Sequence, residues 1–264
     1  MKQFLLSLAI SVFSLINGYS QTIVNSNITF NQTWSPANSP YIISQNITIS
    51  SGVKLTIQPG TRVRNAGTFL ITVLGGVEAL GKFDTLINID TVEFKFNNGS
   101  MGYNFSTNTG SQFSYCHFKG DYSYMALYSD QTPLKISHCK FSKFQYAARQ
   151  LTSTSSAFVK LRFEDCYFEN GVINSSVIWP FGNKTELEME RCTIVNHQGG
   201  LMMATKNRFS NCLFYNWTGT MGFDMYMAKS TELRCNTFRK FNKYILQFPV
   251  GGFYENTNLM MENN

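Results

Sequence analysis

The stretch F-E-D-C-Y-F-E-N-G, Phe163 to Gly171, holds a phrase that returns along the chain: an apolar residue, two polar ones, Cys, any residue, then a large apolar one. Further copies read F-S-Y-C-H-F (Phe113 to Phe118), I-S-H-C-K-F (Ile136 to Phe141), M-E-R-C-T-I (Met189 to Ile194) and F-S-N-C-L-F (Phe209 to Phe214). A sixth, L-R-C-N-T-F (Leu233 to Phe238), puts Asn236 in the Cys column and displaces Cys235 by one place. A seventh, F-Y-E-N-T-N (Phe253 to Asn258), puts Asn256 there. The spacings are 23, 27, 26, 20, 24 and 20 residues. Self-similarity at such a period signals a solenoid or a propeller.

Alternation inside the phrase says strand: Cys and the residue two places on share one face, and the variable residue between them points out. A second short apolar cluster follows each copy, as in V-I-N-S-S-V-I-W (Val172 to Trp179) and Y-I-L-Q-F (Tyr244 to Phe248), with polar turns between. A propeller blade needs about 40 residues, and this unit has about half of that. A coil of a parallel β-helix needs only two or three short strands and corners. Stacked coils lie about 4.8 Å apart, so like residues form ladders. The chain is therefore predicted to be all-β: a single-domain parallel β-helix with a Cys ladder and a Phe ladder inside.

The N-terminal half adds N-I-T-I-S-S-G-V-K-L-T-I-Q-P-G-T-R-V (Asn46 to Val63) and L-G-G-V-E-A-L-G (Leu74 to Gly81), alternating runs broken by tight corners. These phrases resemble the opening turns of secreted right-handed parallel β-helix proteins, the pectate-lyase-like superfamily. The resemblance implies a right-handed solenoid over residues 46–264, with residues 21–45 capping the first coil. On activity it implies little, because that superfamily includes lyases, hydrolases, binding modules and surface proteins.

The chain opens M-K-Q-F-L-L-S-L-A-I-S-V-F-S-L-I-N-G-Y-S. A basic n-region, a short apolar core and small residues at Gly18 and Ser20 read as a signal peptide over residues 1–20, so a secreted or cell-surface location is expected. No run is long enough for a comfortable membrane span. Net charge is +6, without the Lys/Arg blocks of a nucleic-acid-binding tail. Eight N-x-S/T sequons, at Asn27, Asn31, Asn46, Asn98, Asn104, Asn174, Asn183 and Asn216, are expected on surface loops. The chain also reads as a piece of a longer solenoid, since a seventh rung falls close to Asn264.

Six cysteines in an exported protein suggest disulfides. Stacked cysteines, however, point the same way, with Cβ atoms too far apart for a bridge. Cys116, Cys139, Cys166, Cys192 and Cys212 are predicted to be buried free thiols acting as small apolar fillers, with Asn236 and Asn256 continuing their ladder. A straight ladder does not converge as zinc ligands must, so no metal is expected there.

For chemistry, K-L-R-F-E-D offers Lys160, Arg162 and Glu164 on one outward strip, with Glu190 and Arg191 beside it on the next coil. A cation beside carboxylates suits β-elimination on a uronic acid, with calcium as the one cofactor such a lyase would use. Cross-strand ion pairs on a solvated surface explain the same residues. His117 and His138 flank ladder cysteines on the outer face and His197 lies in the corner N-H-Q-G-G, so all three are expected to face solvent. Tyr115, Tyr167, Tyr215 and Trp217 are expected on or beside outward positions, where flat rings stack on sugars. The preferred function is an exported, non-catalytic module that binds glycan or serves in adhesion. The alternative is a polysaccharide lyase or glycoside hydrolase for an acidic polysaccharide.

Overall fold

The computed structural model describes residues 21–264 except 85–87, 98, 100–101, 107–109, 131, 152–156, 172–175, 220–221, 227, 243–244 and 248–257. The expected leader and Asn256 lie outside the described residues.

The chain winds as a parallel β-solenoid with three faces. The first face is a sheet of ten parallel strands: Gln32–Trp34, Lys54–Ile57, Gly76–Leu80, Gln112–Ser114, Leu134–Ser137, Val159–Glu164, Thr185–Glu190, Lys206–Ser210, Ser230–Arg234 and Asn258–Glu262. The second face runs from Thr22–Val24 through Tyr41–Ile43, Arg62–Asn65 and Val92–Lys95 to Thr237–Phe241. The third takes in Ile47–Ile49, Ile71–Val73, Tyr103–Phe105 and Ile178–Phe181, then the short strands Leu201–Met202, Phe223–Asp224 and Leu246–Gln247. Two long strands, Cys116–Asp130 and Lys140–Leu151, bend from the second face into the third. Thr22–Val24 and Gln32–Trp34 already pair in register with the coil that follows them.

The corner between the first and second faces explains the recurring phrase. The residue just before each Cys or Asn of the column has positive φ: Tyr115, His138, Asp165, Arg191, Asn211, Cys235 and Asn263 lie between 50° and 55°. That left-handed residue turns the chain sharply, at a cost of about 1–2 kcal/mol for a non-glycine. The turn also slips the alternation of hydrogen-bond direction by one residue. The amide just before the column residue donates onward to the next coil, as from Asp165 to Glu190 O at 2.9 Å and from Cys235 to Glu262 O at 2.8 Å. The amide just after it, which unbroken alternation would send the same way, donates back to the preceding coil, as from Tyr167 to Cys139 O at 2.9 Å and from Thr193 to Cys166 O at 2.8 Å.

The column residue stands at the slip, and a side chain completes its pairing. Asn236 does so with one amide: its Oδ1 accepts the Cys212 N–H at 2.9 Å, and its Nδ2 donates to Phe209 O at 3.0 Å. Asn264 repeats both bonds one coil on, to Asn236 N–H at 2.9 Å and Leu233 O at 2.8 Å. Thiols occupy the same place. Cys139 Sγ accepts the Cys116 N–H at 3.4 Å. Cys166, Cys192 and Cys212 lie 3.5–3.6 Å from carbonyls of the preceding coil and 3.3–3.4 Å from the carbonyl two residues back. All five column cysteines are free and buried, and Cys235 is free and exposed. Burial pushes the Cys139 and Cys192 thiols up, and the hydrogen bond with Cys192 followed by burial pushes Cys212 up, so these sulfurs keep their protons. Beyond filling space, they satisfy the corner.

The same register identifies rungs without cysteine. Val92 pairs with Cys116, and Thr61 and Ser39 continue the column through the first coils. The seventh rung differs from the expectation: Arg234 pairs with Glu262, so Asn264 rather than Asn256 follows Asn236. The phrase F-Y-E-N-T-N resembles the repeat but falls eight residues early. Beside this column, Phe94, Phe118, Phe141 and Phe168 stack at 4.8, 4.7 and 5.1 Å with rings within 10° of parallel. Phe214 and Phe238 do the same at 5.0 Å. Each buried ring contributes about 2 kcal/mol through area, with up to about 1 kcal/mol more from ring contact.

A second left-handed column closes the far end of the second face, at Lys143, Asn170, Asn196, Asn216 and Lys240, with φ of 53–59°. It resets the alternation and overturns two expectations. Trp217 follows Asn216 and so points inward, 1% exposed, donating from Nε1 to Gly199 O at 2.7 Å. His197 follows Asn196 and is likewise interior, 1% exposed, with Nε2 against Gly200 O at 3.0 Å. Gly171, at the equivalent place one coil back, makes the room: a Cβ there would lie 1.9 Å from His197 Nδ1.

Asn236→Ala is expected to cost about 3 kcal/mol, because it orphans a buried N–H and a buried carbonyl. Asn236→Cys, which keeps a donor and an acceptor, should cost less than half of that in urea denaturation. A second expectation concerns pH. Burial lowers the His197 pKa to about 4. Between the ordinary value near 6.5 and about 4, the unfolded chain takes up a proton that the folded chain refuses. Stability should therefore fall on acidification through that window, and His197→Gln should remove roughly 3 kcal/mol of the fall.

Candidate functional site

The strand Val159–Glu164 alternates as expected, with Val159, Leu161 and Phe163 inside and Lys160, Arg162 and Glu164 outside. In-register partners on the next coil are Glu186, Glu188 and Glu190. Lys160 Nζ sits 3.1 Å from Glu186 and 3.0 Å from Glu188. Arg162 reaches Glu190 at 3.2 Å, and Arg191 reaches Glu164 at 2.7 Å and Asp165 at 2.8 Å. One coil further, Glu188 faces Arg208, which pairs with Glu232 at 3.3 Å. Opposite charges face each other at Lys160–Glu186, Arg162–Glu188 and Glu188–Arg208, and where like charges meet, Lys135 beside Arg162 and Glu164 beside Glu190, Arg162 pairs with Glu190 and Glu164 with Arg191.

This arrangement disfavours proton abstraction. The hydrogen bond it donates to Glu188 holds the Lys160 ammonium above the usual lysine range, whereas a general base must release its proton. Among the described residues no three His, Cys, Asp or Glu side chains are placed to hold a metal ion. The strip is a cross-strand ion-pair network, partly exposed and worth at most about 1 kcal/mol per pair.

The four aromatic candidates do not come together. Tyr115 sits at a corner, stacked on His138 at 4.5 Å. Tyr167 is 37% exposed on the second face, with Lys140 Nζ 5.2 Å from its ring. Tyr215 lies two coils further on the same face, under Lys240 Nζ at 5.2 Å. Trp217 is inside, as described. Of the histidines, His138 is exposed beside Asp165 at 3.5 Å, and His117 is part-buried near Ser142.

A different aromatic group does converge, on the outside of the third face where the two long strands bend into it. Met125 pairs with Tyr146, Tyr128 with Arg149, and Arg149 with Trp179. Tyr124 meets Tyr146 edge-on at 5.3 Å, and Tyr146 lies 5.0 Å from Trp179. The Arg149 guanidinium lies 4.2 Å from the Trp179 ring centre and donates from Nη1 to the Tyr124 hydroxyl at 3.2 Å. Phe181, 42% exposed, extends the patch at 6.5 Å from Trp179. Tyr124, Tyr128, Tyr146, Arg149 and Trp179 are all partly exposed. Rings locked by neighbours and by a stacked guanidinium form a rigid, amphipathic platform.

The sequence reading missed this platform for a countable reason. Tyr128, Arg149 and Trp179 share one outward column, yet they follow their column cysteines by 12, 10 and 13 residues. Corners of unequal length put them out of register in an alignment anchored on Cys. The clusters Y-S-Y-M-A-L-Y, Q-Y-A-A-R and W-P-F, recurring once per coil, were the available signal.

Compared with known proteins, the chain matches no family model, no curated protein and no solved structure. Among the described residues no helix is long and apolar enough to cross a membrane.

Replacing Glu188 tests the strip. Burial pushes its carboxyl upward, but the hydrogen bond from Lys160 and the charges of Lys160, Arg162 and Arg208 together hold it below the usual range. Such a group stabilises the fold above its unfolded pKa and loses that effect as pH falls through the lowered folded value. Glu188→Gln is expected to cost no more than about 1 kcal/mol at neutral pH. The difference from the parent protein should vanish in acid.

Proposed function

We propose that this protein is an exported, non-catalytic parallel β-solenoid that binds glycan on the platform formed by Tyr124, Tyr146, Arg149 and Trp179. The observation that carries this reading is the set of mutually braced, part-exposed rings beside a guanidinium on a rigid face. Pyranose rings present C–H faces that pack on aromatic rings and hydroxyls that accept from Arg. A platform already held in place loses little side-chain entropy on binding. Export rests on the basic, apolar and small-residue pattern of the first 20 residues. The paired state of Lys160, Arg162 and Glu164 supports a binding role over a lyase or hydrolase, and fold alone favours neither.

Trp34 and Trp217 are buried, so ligand-dependent changes in tryptophan emission report chiefly on Trp179. Titration with a panel of neutral and acidic oligosaccharides is expected to shift or quench that emission for at least one of them. Trp179→Ala should weaken binding about tenfold or more, as removal of an interface anchor does. Lys160→Met should leave binding unchanged. Release of reducing ends or unsaturated sugars, lost in Lys160→Met, would establish an enzyme instead.

A further inference from the structure

The second face carries a charge pattern unlike that of the first. Arg64, Lys95 and Lys119 are in register on three successive coils. Alternation turns all three outward, since Val63, Phe94 and Phe118 between them are buried. In the adjacent outward column Arg62 pairs with Glu93, Glu93 with His117, and His117 with Lys140. Within these two columns five cations, Arg62, Arg64, Lys95, Lys119 and Lys140, face two carboxylates: Glu93, on Lys119, and Glu169, on Lys140 at 2.8 Å. Arg62, Arg64 and Lys95 are exposed and make no ion pair among the described residues.

Like charges directly opposite on neighbouring strands destabilise a sheet. Where the first face sets like charges opposite, Lys135 with Arg162 and Glu164 with Glu190, carboxylates on Arg162 and a guanidinium on Glu164 offset them. The second face stacks three cations about 4.8 Å apart instead. His117 beside them is held down to about 4, first by burial and then by Lys119 and Lys140. It is neutral over the ordinary pH range, so the positive field there comes from Lys and Arg alone.

We infer that this cation ladder binds a linear polysaccharide that carries oxyanion groups, sulfate or carboxylate, on successive sugars. A straight, closely spaced row of charges on a flat sheet complements a polymer lying along the solenoid axis with anions at short, regular intervals. Nucleic acid fits less well. Among the described residues the flat sheet has no projecting element to enter a duplex groove, and the ring that shares this column, Tyr215, stands four coils beyond Lys119, too far to stack a base beside the cations. The site lies on a different face from the Tyr124–Trp179 platform and does not depend on it.

The test is calorimetric titration of the whole protein with heparin, a sulfated polymer, and with polygalacturonate, a carboxylated one. Dextran and single-stranded DNA serve as comparisons, each at two salt concentrations. Binding of at least one acidic polysaccharide is expected, weakening as salt rises because counterions are released on association. Arg64→Glu with Lys95→Glu should reduce affinity about tenfold or more and flatten the salt dependence. Arg64→Lys with Lys95→Arg should retain binding, and Trp179→Ala should leave it unchanged. Which polymer binds better identifies the oxyanion. The inference is overturned if neither polymer binds or if dextran binds as tightly. It also fails if the charge reversal has no effect in a protein with unchanged circular dichroism, or if DNA binds more tightly than both polysaccharides.

Discussion

The alternation of hydrogen-bond direction slips by one residue at the corner before each Cys or Asn rung, and the rung residue must reconcile the two phases. A backbone amide on the near side donates onward and one on the far side donates back. The residue between them is buried, so its N–H needs a side-chain acceptor from the next coil. Only a short side chain with donor and acceptor capacity fits a gap of one coil spacing. Cys, Asn, Ser and Thr meet that description, and Cys116, Asn236, Ser39 and Thr61 stand in the column. Val92 is the exception, and the coil that holds it is also the one whose corner is expanded into the antiparallel hairpin Lys82–Asp84 with Asn88–Asp90. The left-handed residue before each Cys or Asn rung is strained, and the completed bonds across the corner offset that strain.

Stacking of this kind makes the outside of the molecule a raster. Every outward residue has a counterpart about 4.8 Å away on the next coil, so charges and rings accumulate in columns rather than patches. The first face uses the raster to cancel charge, the second to concentrate it, and the third to assemble rings. Those are three different surfaces on one scaffold. The chemistry available to each follows from which residue types share a column, and on the first face Lys160, Arg162 and Glu164 are each held in ion pairs.

The fold was legible because the Cys and Phe columns are both interior and both repeat. Their residues could be matched by spacing alone. The outer columns were legible only where coil length stayed constant. Lys160, Arg162 and Glu164 follow the strand rule and face out, whereas their neutralisation by Glu186, Glu188 and Glu190 depends on register. Trp217 and His197 were misplaced for one reason: Asn216 and Asn196 adopt a left-handed conformation that shifts the phase of alternation by one. Asparagine favours that conformation, but so many asparagines occur here that sequence alone does not say which of them adopt it. Asn264 was hidden because 28 residues separate it from Asn236, more than in any Cys-to-Cys step of the repeat.

Counting accessible thiols before and after unfolding, with mass spectrometry to detect any bridges, tests the stacked corner most directly. The account predicts one reactive thiol in the native protein, Cys235, and six after denaturation, with no disulfide at either stage. Rapid labelling of several column cysteines in the folded protein, or a disulfide joining any two of them, would contradict it.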